Sequence, residues 1–294
     1  MTVINDLKLQ YRMGGFAQKL IFWNVGLFAL PWLVNMVCNY IFKIDFDFFW
    51  WISVSSNPSD LLWKPWSLLS YAFFHSGFFH ILFNMLVLNF SSRLFLTYFS
   101  QKQLFSLYIL SAIFAAIIYI VCYYVFPSLK PFQNRMIGAS GAVMCIFIAT
   151  ATYSPLMQIR LMFIGNVKLW HIAFAYVIID LIQLPLENTG GHIAHLAGAL
   201  FGFVYIKQLQ NGRDIGAWFS KIIGGVSDLS LSKPKTPFKK VYKNHVQTEK
   251  VDRPTIVIKN KTQQQIDDIL DKIGKSGYES LSTDEKEFLF KAGK

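Results

Sequence analysis

Charged residues are scarce over most of this chain. Of its 294 residues, 15% are charged and 53% are hydrophobic, whereas a soluble domain usually has about 25% charged residues. Only 18 of the first 208 residues are Asp, Glu, Lys or Arg, against 27 of the last 86. A soluble core of this size would not be so poor in charge, and a membrane span could not carry the charge density of the tail. The composition therefore excludes a single soluble domain.

Cysteine is scarce as well, and this limits the kinds of site that the chain can build. Its three cysteines, Cys38, Cys122 and Cys145, fall inside apolar runs without CxxC spacing, which argues against a disulfide framework and a cysteine-based zinc site. The N-terminus lacks a short apolar region followed by a small-residue cleavage site. Its first apolar stretch starts near Leu20 and runs past twenty residues, so we expect this stretch to stay in the protein as a membrane anchor.

Long apolar runs are abundant instead. A helix that spans a bilayer takes roughly 20 apolar residues, and lipid offers no partner to an unpaired peptide group, so each span must be helical. Lys and Arg concentrate near alternate ends of the runs and most strongly at the two chain termini, which predicts that both termini are cytoplasmic. The predicted fold class is an all-α polytopic membrane protein whose membrane domain covers residues 1–208. The six predicted transmembrane helices are 20–42, 77–99, 104–126, 137–153, 166–185 and 191–208.

The first loop and the tail have a different character. The loop 43–76 is rich in Trp and Phe, so it either lies partly at the headgroup level of the outer leaflet or packs on its own helices. Residues 209–261 are predicted to be an interfacial helix and a basic linker attracted to anionic lipid, with nucleic-acid binding as the disfavoured alternative. Residues 262–294 are predicted to form a small cytoplasmic tail domain of two helices. Capping-box spacings start these helices at Thr262 with Gln265 and at Ser282 with Glu285.

Polar residues cluster at the starts of three predicted spans. His80 and Asn84 lie in the second span, Ser140 lies in the run Gly-Ala-Ser-Gly-Ala at the start of the fourth, and His192 and His195 lie at the start of the sixth. Polar side chains inside a span are costly and need a reason. With both termini inside, all three starts lie on the external side, so these side chains are expected at a similar depth on one face of the bundle.

These residue types fit acyl transfer. A neutral imidazole at His195 could take the proton of Ser140 and return it to a leaving amine. His80 and Asn84 are four residues apart on one helix face and could donate hydrogen bonds to an oxyanion. We therefore predict Ser140 as nucleophile and His195 as general base and acid, with His80 and Asn84 at the oxyanion.

Small residues set the spacing around this predicted pair. Gly141 follows Ser140, and Gly198 and Gly202 follow His195 on the same helix face. Small residues let two membrane helices approach closely, which is what a Ser–His hydrogen bond needs. The same glycine spacing favours His195 over His192 as the base.

Other interpretations stay open at this point. A metal site could use the histidines 75, 80, 192 and 195, but the first two are five residues apart and do not share a helix face, and the chain has no His-Glu-x-x-His motif; we expect no metal and no cofactor. Asp180, deep in the fifth segment, could have a catalytic or gating role or be a hydrogen-bonded structural acid. A protein that binds membrane segments without cutting them is an alternative function. A transporter is another, although we find no internal repeat of the kind that transporters show.

Taken together, the three polar segments resemble the motifs of the rhomboid family of intramembrane serine proteases. The resemblance covers about residues 15–208, and the matching motifs are His75-x4-His80-x3-Asn84, Gly138-Ala139-Ser140-Gly141 and His195-Leu196-Ala197-Gly198 with Gly202. It implies a six-helix rhomboid-like bundle, a Ser140–His195 dyad without an acid partner, and a support for the oxyanion from His80 and Asn84. It also implies transmembrane protein substrates that are cut within or near their membrane segment and enter near the fifth helix, under a mobile loop at about 184–191.

The resemblance extends to location and has clear departures. The closing segment resembles a tail domain of Bacteroidetes rhomboids, which implies a bacterial inner membrane. Trp66-Ser67 stands where the family has Trp-Arg, Phe95 or Leu96 stands where it usually has Glu, and Met144 stands where it has an aromatic residue. None of these departures touches the four predicted site residues, so we expect an active intramembrane serine endopeptidase.

Overall fold

Helices dominate the structure, a computed structural model that describes residues 2–132, 135–162, 164–186, 188–222 and 261–292. The chain divides into two units, Met1–Lys233 and Pro234–Lys294, which are described separately. The helices of the first unit are α1 (Val3–Met13), α2 (Phe16–Phe28), α3 (Leu30–Met36), α4 (Phe48–Ile52), α5 (Ser67–Ser70), α6 (Phe78–Phe95), α7 (Gln101–Val125), α8 (Ser140–Tyr153), α9 (Leu169–Gln183), α10 (Thr189–Gln210) and α11 over 217–222.

Two short antiparallel strand pairs join the loops of this unit. Strand β1 (Val54–Ser55) pairs with β2 (Arg135–Met136), and β3 (Gln158–Leu161) pairs with β4 (Gly165–Lys168). The first pair connects the loop before α6 to the segment that enters α8. The second pair forms the connection between α8 and α9.

Four of the described helices are long and apolar enough to cross a membrane. These are the continuous stretch Phe16–Ile41, which includes α2, α3 and a π-helical turn, and the helices α6, α7 and α10. Pro31 at the start of α3 lacks a backbone N–H, which accounts for the break between α2 and α3. Two further apolar helices, α8 and α9, are shorter. All six predicted segments are thus helical over most of their length, and the crossing of the membrane by all six stays a prediction.

Helix α8 lies at the centre of the bundle. Its residues from Gly141 to Ala151 are all buried, as expected for a helix that is apolar on every side. Helix α10 packs directly against it through backbone contacts. A Cβ atom added at Gly198 would lie 2.0 Å from the carbonyl oxygen of Gly141, and one at Gly202 would lie 2.3 Å from that of Cys145. The glycines therefore create the close approach that their spacing predicted.

The loop before α6 is held by contacts within itself. Lys64 is fully buried, its Nζ donates hydrogen bonds to the carbonyl oxygens of Trp50 and Ser53, and it lies 4.3 Å from the centre of the Trp50 ring. Trp66 donates from its indole nitrogen to the carbonyl oxygen of Trp51. This role of Lys64 is not visible in the sequence, because both carbonyl groups belong to residues more than ten positions earlier. Lys64 supplies a buried cation to the loop that contains Ser67, the position at which the resemblance to rhomboid proteases implies an arginine.

The described part of the second unit contains two α-helices, α12 (Lys261–Ser276) and α13 (Thr283–Ala292), joined by a turn at Gly277 with φ of 76°. The predicted capping box at the start of α13 is confirmed, because the N–H of Ser282 donates to Glu285 Oε2 (2.7 Å) and the N–H of Glu285 donates to Ser282 Oγ (3.3 Å). The prediction of a cap at Thr262 is wrong, because α12 is already helical at Lys261. The predicted basic linker, most of 209–261, falls on 223–260, outside the described residues.

Candidate active site

The four predicted site residues lie around one cavity. Ser140 on α8, His195 on α10, and His80 and Asn84 on α6 all line a cavity of about 490 Å³. Each sits in the first two turns of its helix or at its first residue. Three helix starts that are far apart in sequence therefore meet at one place.

Ser140 is the first residue of α8, and the backbone before it is tightly held. Gly138 has φ of 127°, a conformation that side-chain-bearing residues rarely adopt. Its N–H donates to the carbonyl oxygen of Tyr71 (2.9 Å), and the N–H of Ala139 donates to Nε2 of His75 (3.4 Å). A Cβ atom at Gly138 would lie 2.6 Å from Nε2 of His80. The glycine thus lets the chain pass next to His80 on its way to Ser140.

The first loop contributes a further anchor to the same segment. Val54 pairs with Met136 and Ser55 with Arg135 in the β1–β2 ladder. Arg135 also forms an ion pair with Asp47. Burial raises the pKa of Asp47, but the hydrogen bond and positive charge of Arg135 outweigh this effect and lower it overall. The chain entering α8 is therefore fixed to the loop by strand pairing and by an ion pair.

His80 and Asn84 are oriented by neighbours on their own helix start. Nδ1 of His80 lies 3.1 Å from the hydroxyl of Ser76, and Nδ2 of Asn84 donates to the carbonyl oxygen of His80 (2.8 Å). If the Ser76 hydroxyl donates to Nδ1, the ring proton sits on Nε2, the nitrogen that faces Gly138. One amide proton of Asn84 is then still available for another acceptor.

His75 has a structural role that sequence analysis missed. It is fully buried, its ring lies 5.0 Å from that of His80, and it accepts the hydrogen bond of the Ala139 N–H. Burial lowers the pKa of His75 to about 3, with a smaller contribution from the nearby His80, so the ring is neutral and its Nε2 can accept. Its position before the His80 motif was the available sequence signal.

Asp180 contacts His195, which the resemblance did not imply. Oδ1 of Asp180 lies 2.9 Å from Nδ1 of His195 and 2.7 Å from Nδ1 of His192. Asp180 is only 3% exposed, and its other oxygen has no hydrogen-bond partner among the described residues. The expectation of a Ser–His pair with no acid nearby therefore does not describe this site.

His192 and His195 differ in their relation to Ser140. Both contact Asp180, but the residues that line the cavity include His195 and not His192. The described hydrogen bonds do not include one between the Ser140 hydroxyl and His195, and such bonds are often long before a substrate binds. The cavity favours His195 as the partner of Ser140, in agreement with the glycine spacing.

Possible metal ligands gather differently from the four-histidine alternative. Within the described part of the chain, Asp180, His192 and His195 form the group whose ligand atoms lie within 4.8 Å of one another. His75 and His80 are not part of it. The four-histidine site is therefore not formed, and the three residues that do meet are joined by hydrogen bonds.

The rest of the cavity is largely apolar. Phe83, Met144, Phe147 and Tyr176 line it from α6, α8 and α9. Met144, the departure from the family pattern, is buried in this wall. The predicted mobile loop at 184–191 is shorter in the structure because α10 begins at Thr189.

Fold and cavity together define a membrane-embedded helical protein with a polar site enclosed among its helices. Residues 62–210, about half of the chain, match the family model described as the Rhomboid domain. The chain belongs to the rhomboid family. Residues 249–291, at the tail, match a family of unknown function (DUF6576).

Curated relatives come from animals. The chain is 31% identical over 157 residues to the presenilin-associated rhomboid-like protein, mitochondrial, of Bos taurus and to that of Mus musculus. It is 32% identical over 162 residues to the presenilin-associated rhomboid-like protein A, mitochondrial, of Danio rerio. The matches cover 52% of this chain but 39–40% of the relatives, so the chain spans about two fifths of their length. Because these relatives are named as mitochondrial, the bacterial inner membrane stays a prediction.

Proposed function

We propose that this protein is an intramembrane serine endopeptidase that cleaves transmembrane protein substrates within or near their membrane segment, using Ser140 and His195. The observation that carries this proposal is the cavity that Ser140, His195, His80 and Asn84 line together. This cavity lies within the part of the chain that matches the Rhomboid domain.

In the proposed reaction, Nε2 of His195 takes the proton of the Ser140 hydroxyl while Oγ attacks the carbonyl carbon of the scissile peptide bond. The tetrahedral intermediate collapses to an acyl-enzyme, and His195 gives the proton to the leaving amine. Water then attacks the ester, with His195 again as base and then as acid, and releases the second product. The reaction needs no cofactor.

The negative charge of the intermediate would be stabilised from two sides. Ser140 opens α8, and the first N–H groups of a helix have no partner within the helix and carry partial positive charge. The N–H of Ser140 is therefore available to the oxyanion, together with Nε2–H of His80 and the amide of Asn84. Loss of one such donor typically lowers the rate by about 10²–10³.

The apolar wall of the cavity fits a segment that arrives from lipid. Phe83 and Phe147 can contact apolar side chains of a substrate, and entry beside α9 is part of the proposal.

We propose that the termini are cytoplasmic, that the site faces the other side of the membrane, and that the basic residues after α11 contact anionic lipid. We propose three parts for the chain: the membrane domain 1–208, the linker 209–261 and the tail 262–294.

The test is cleavage of a membrane-anchored reporter by the full chain in proteoliposomes. Ser140→Ala and His195→Ala are each expected to abolish cleavage. Ser91→Ala is the matched control, because Ser91 is a buried serine of α6 that bonds within its own helix and does not line the cavity. Cleavage that persists in both site variants would show that the mechanism is wrong.

Labelling with a fluorophosphonate separates an enzyme from a binder that does not cut. The probe is expected to label the wild-type chain and fail to label Ser140→Ala. A wild-type chain that binds transmembrane segments but takes up no label at Ser140 would favour the binder instead.

A further inference from the structure

The hydrogen bonds of Asp180 reach from α9 to two histidines of α10, and Asp180 itself is not among the residues that line the cavity. We propose that Asp180 is a positioning residue for the reaction, which sets the tautomer of His195 and stabilises its positive form, and that His192 holds the carboxylate in place. This inference rests on the proposed function, because it assigns a role to the partner of the proposed base.

The tautomer follows from hydrogen-bond chemistry. An ionised carboxylate only accepts hydrogen bonds, so Nδ1 of His195, at 2.9 Å from Oδ1 of Asp180, carries the proton. The lone pair of the neutral ring is then on Nε2, which is the nitrogen that must receive the proton of Ser140. Without the carboxylate the ring can hold its proton on either nitrogen, and the fraction of competent enzyme falls.

The charge of Asp180 matters at a later moment. When His195 takes the proton of Ser140, the ring becomes positive, and the buried carboxylate offsets this charge at close range. The other titratable or charged groups around the pair are His80 on α6, Arg135 on β2, Tyr176 on α9 and His192 on α10. Among these, none of the described groups carries a negative charge near neutral pH, so Asp180 is the source of this effect.

His192 explains why the carboxylate stays where it is. Its Nδ1 lies 2.7 Å from the same oxygen, Oδ1, that contacts His195, so both rings point their Nδ1–H groups at one atom. This arrangement fixes the rotation of the carboxyl group. His192 also lies outside the lining of the cavity, which suits a supporting group and not a second base.

A purely structural role is the competing explanation. Leu169, Ala173 and Asp180 are the buried residues of α9, so the bonds of Asp180 also hold the second half of this helix against α10. Replacing Asp180 lowers the activity of the enzyme in both cases, whether its role is structural or positioning. The two roles differ in whether the pH dependence of the reaction changes, because only the positioning role acts through the charge on His195.

The deciding measurement is the rate of fluorophosphonate labelling of the full chain in proteoliposomes as a function of pH. Asp180→Asn keeps the shape of the side chain and an acceptor oxygen but removes the charge. We expect its labelling rate at neutral pH to fall by 10- to 100-fold, and the acidic midpoint of its profile to move to lower pH by about one unit. The labelling rate of Asp180→Ala should fall further, because this variant also removes the acceptor that holds the proton of His195 on Nδ1.

Two matched variants complete the design. His192→Ala leaves the carboxylate in place and should lower the rate by less than 10-fold, with the acidic midpoint unchanged. Asp268→Asn, which changes an exposed acid of α12 that does not line the cavity, should behave as the wild type. A lowered rate for Asp180→Asn with an unmoved midpoint, or an unchanged rate, would overturn the inference.

A measurement on the wild-type chain covers the case in which the Asp180 variants do not fold. The ¹⁵N resonances of the His195 ring, assigned with His195→Gln, report which nitrogen carries the proton. A proton on Nδ1 supports the inference, and a proton on Nε2 overturns it. A wild-type chain that neither cuts nor labels would overturn the proposed function and this inference together, whereas an active wild type with an unaffected Asp180→Asn overturns the inference alone.

Discussion

Gly198→Ala tests whether the contact between α8 and α10 sets the distance between Ser140 and His195. The added methyl carbon would lie 2.0 Å from the carbonyl oxygen of Gly141, where ordinary contact begins at 3.4 Å. The neighbouring atom is backbone, so no side chain can rotate away. The two helices must therefore separate by about 1.4 Å along this direction, next to the first turn of α8 and one turn after His195.

The expected loss of activity is large compared with the loss of stability. A misplacement of reacting groups by about 1 Å can lower a rate by about 10², whereas an extra methyl group in a packed core typically costs about 1–3 kcal/mol of folding free energy. We therefore expect reporter cleavage to fall at least 100-fold while the chain still folds. Both quantities are measured on the same sample, by reporter cleavage and by thermal unfolding in detergent.

Gly26→Ala is the matched control for this experiment. Gly26 lies in α2, and an added Cβ there would meet nothing within 4 Å. It should leave cleavage unchanged and leave stability unchanged or slightly higher, since alanine favours a helix over glycine. A Gly198→Ala chain that cleaves and unfolds like the wild type would refute the argument that this contact positions the pair.

Three further predictions concern the first loop, acid sensitivity and metals. Lys64→Met should lower the free energy of unfolding by about 1–3 kcal/mol, because two buried carbonyl oxygens lose their donor; the exposed Lys43→Met is the control, and equal effects of both would contradict the role of Lys64. The pKa of His75 is lowered to about 3, so the unfolded chain binds a proton below about pH 6.5 that the folded chain does not, and stability should fall as pH drops from about 6.5 toward 3. The free energy of unfolding should depend less on pH over this range for His75→Gln than for the wild type. A variant whose stability falls as steeply with acid as that of the wild type would contradict the assignment. A chelator should leave reporter cleavage unchanged, because hydrogen bonds already join Asp180 to His192 and His195. Loss of cleavage in the chelator and its restoration by Zn²⁺ would show that the reaction needs a metal ion.

The sequence predicted the features that depend on local spacing. The sequence predicts Ser140 near a helix start, and Ser140 is the first residue of α8. The pattern of Gly198 and Gly202 was expected to admit a neighbouring helix, and their positions meet the backbone of α8. A spacing of four residues places His80 and Asn84 on one face of α6, and this follows from the geometry of any helix.

The sequence did not predict contacts that depend on how elements rotate and fold back. Helix α9 is apolar on nearly every side, so its sequence does not say which face turns toward α10, and the contact of Asp180 with His195 became visible only in three dimensions. Nothing local in the sequence shows that the carbonyl groups of Trp50 and Ser53 accept hydrogen bonds from Lys64. Thr262 had the spacing of a cap, but the helix is already formed before it.

The pairing of β1 with β2 has a consequence for how the protein can be divided. The segment that leads into Ser140 takes its conformation from residues more than sixty positions earlier, through Val54, Tyr71 and His75. A fragment that started at α6 would contain every residue assigned to the chemistry. It would still lack the residues that hold the backbone in front of Ser140 in place. The smallest fragment that can form this site therefore includes the first loop, 43–76. Substitutions in this loop that disturb these contacts should change reaction rates, although none of its residues touches a reacting atom.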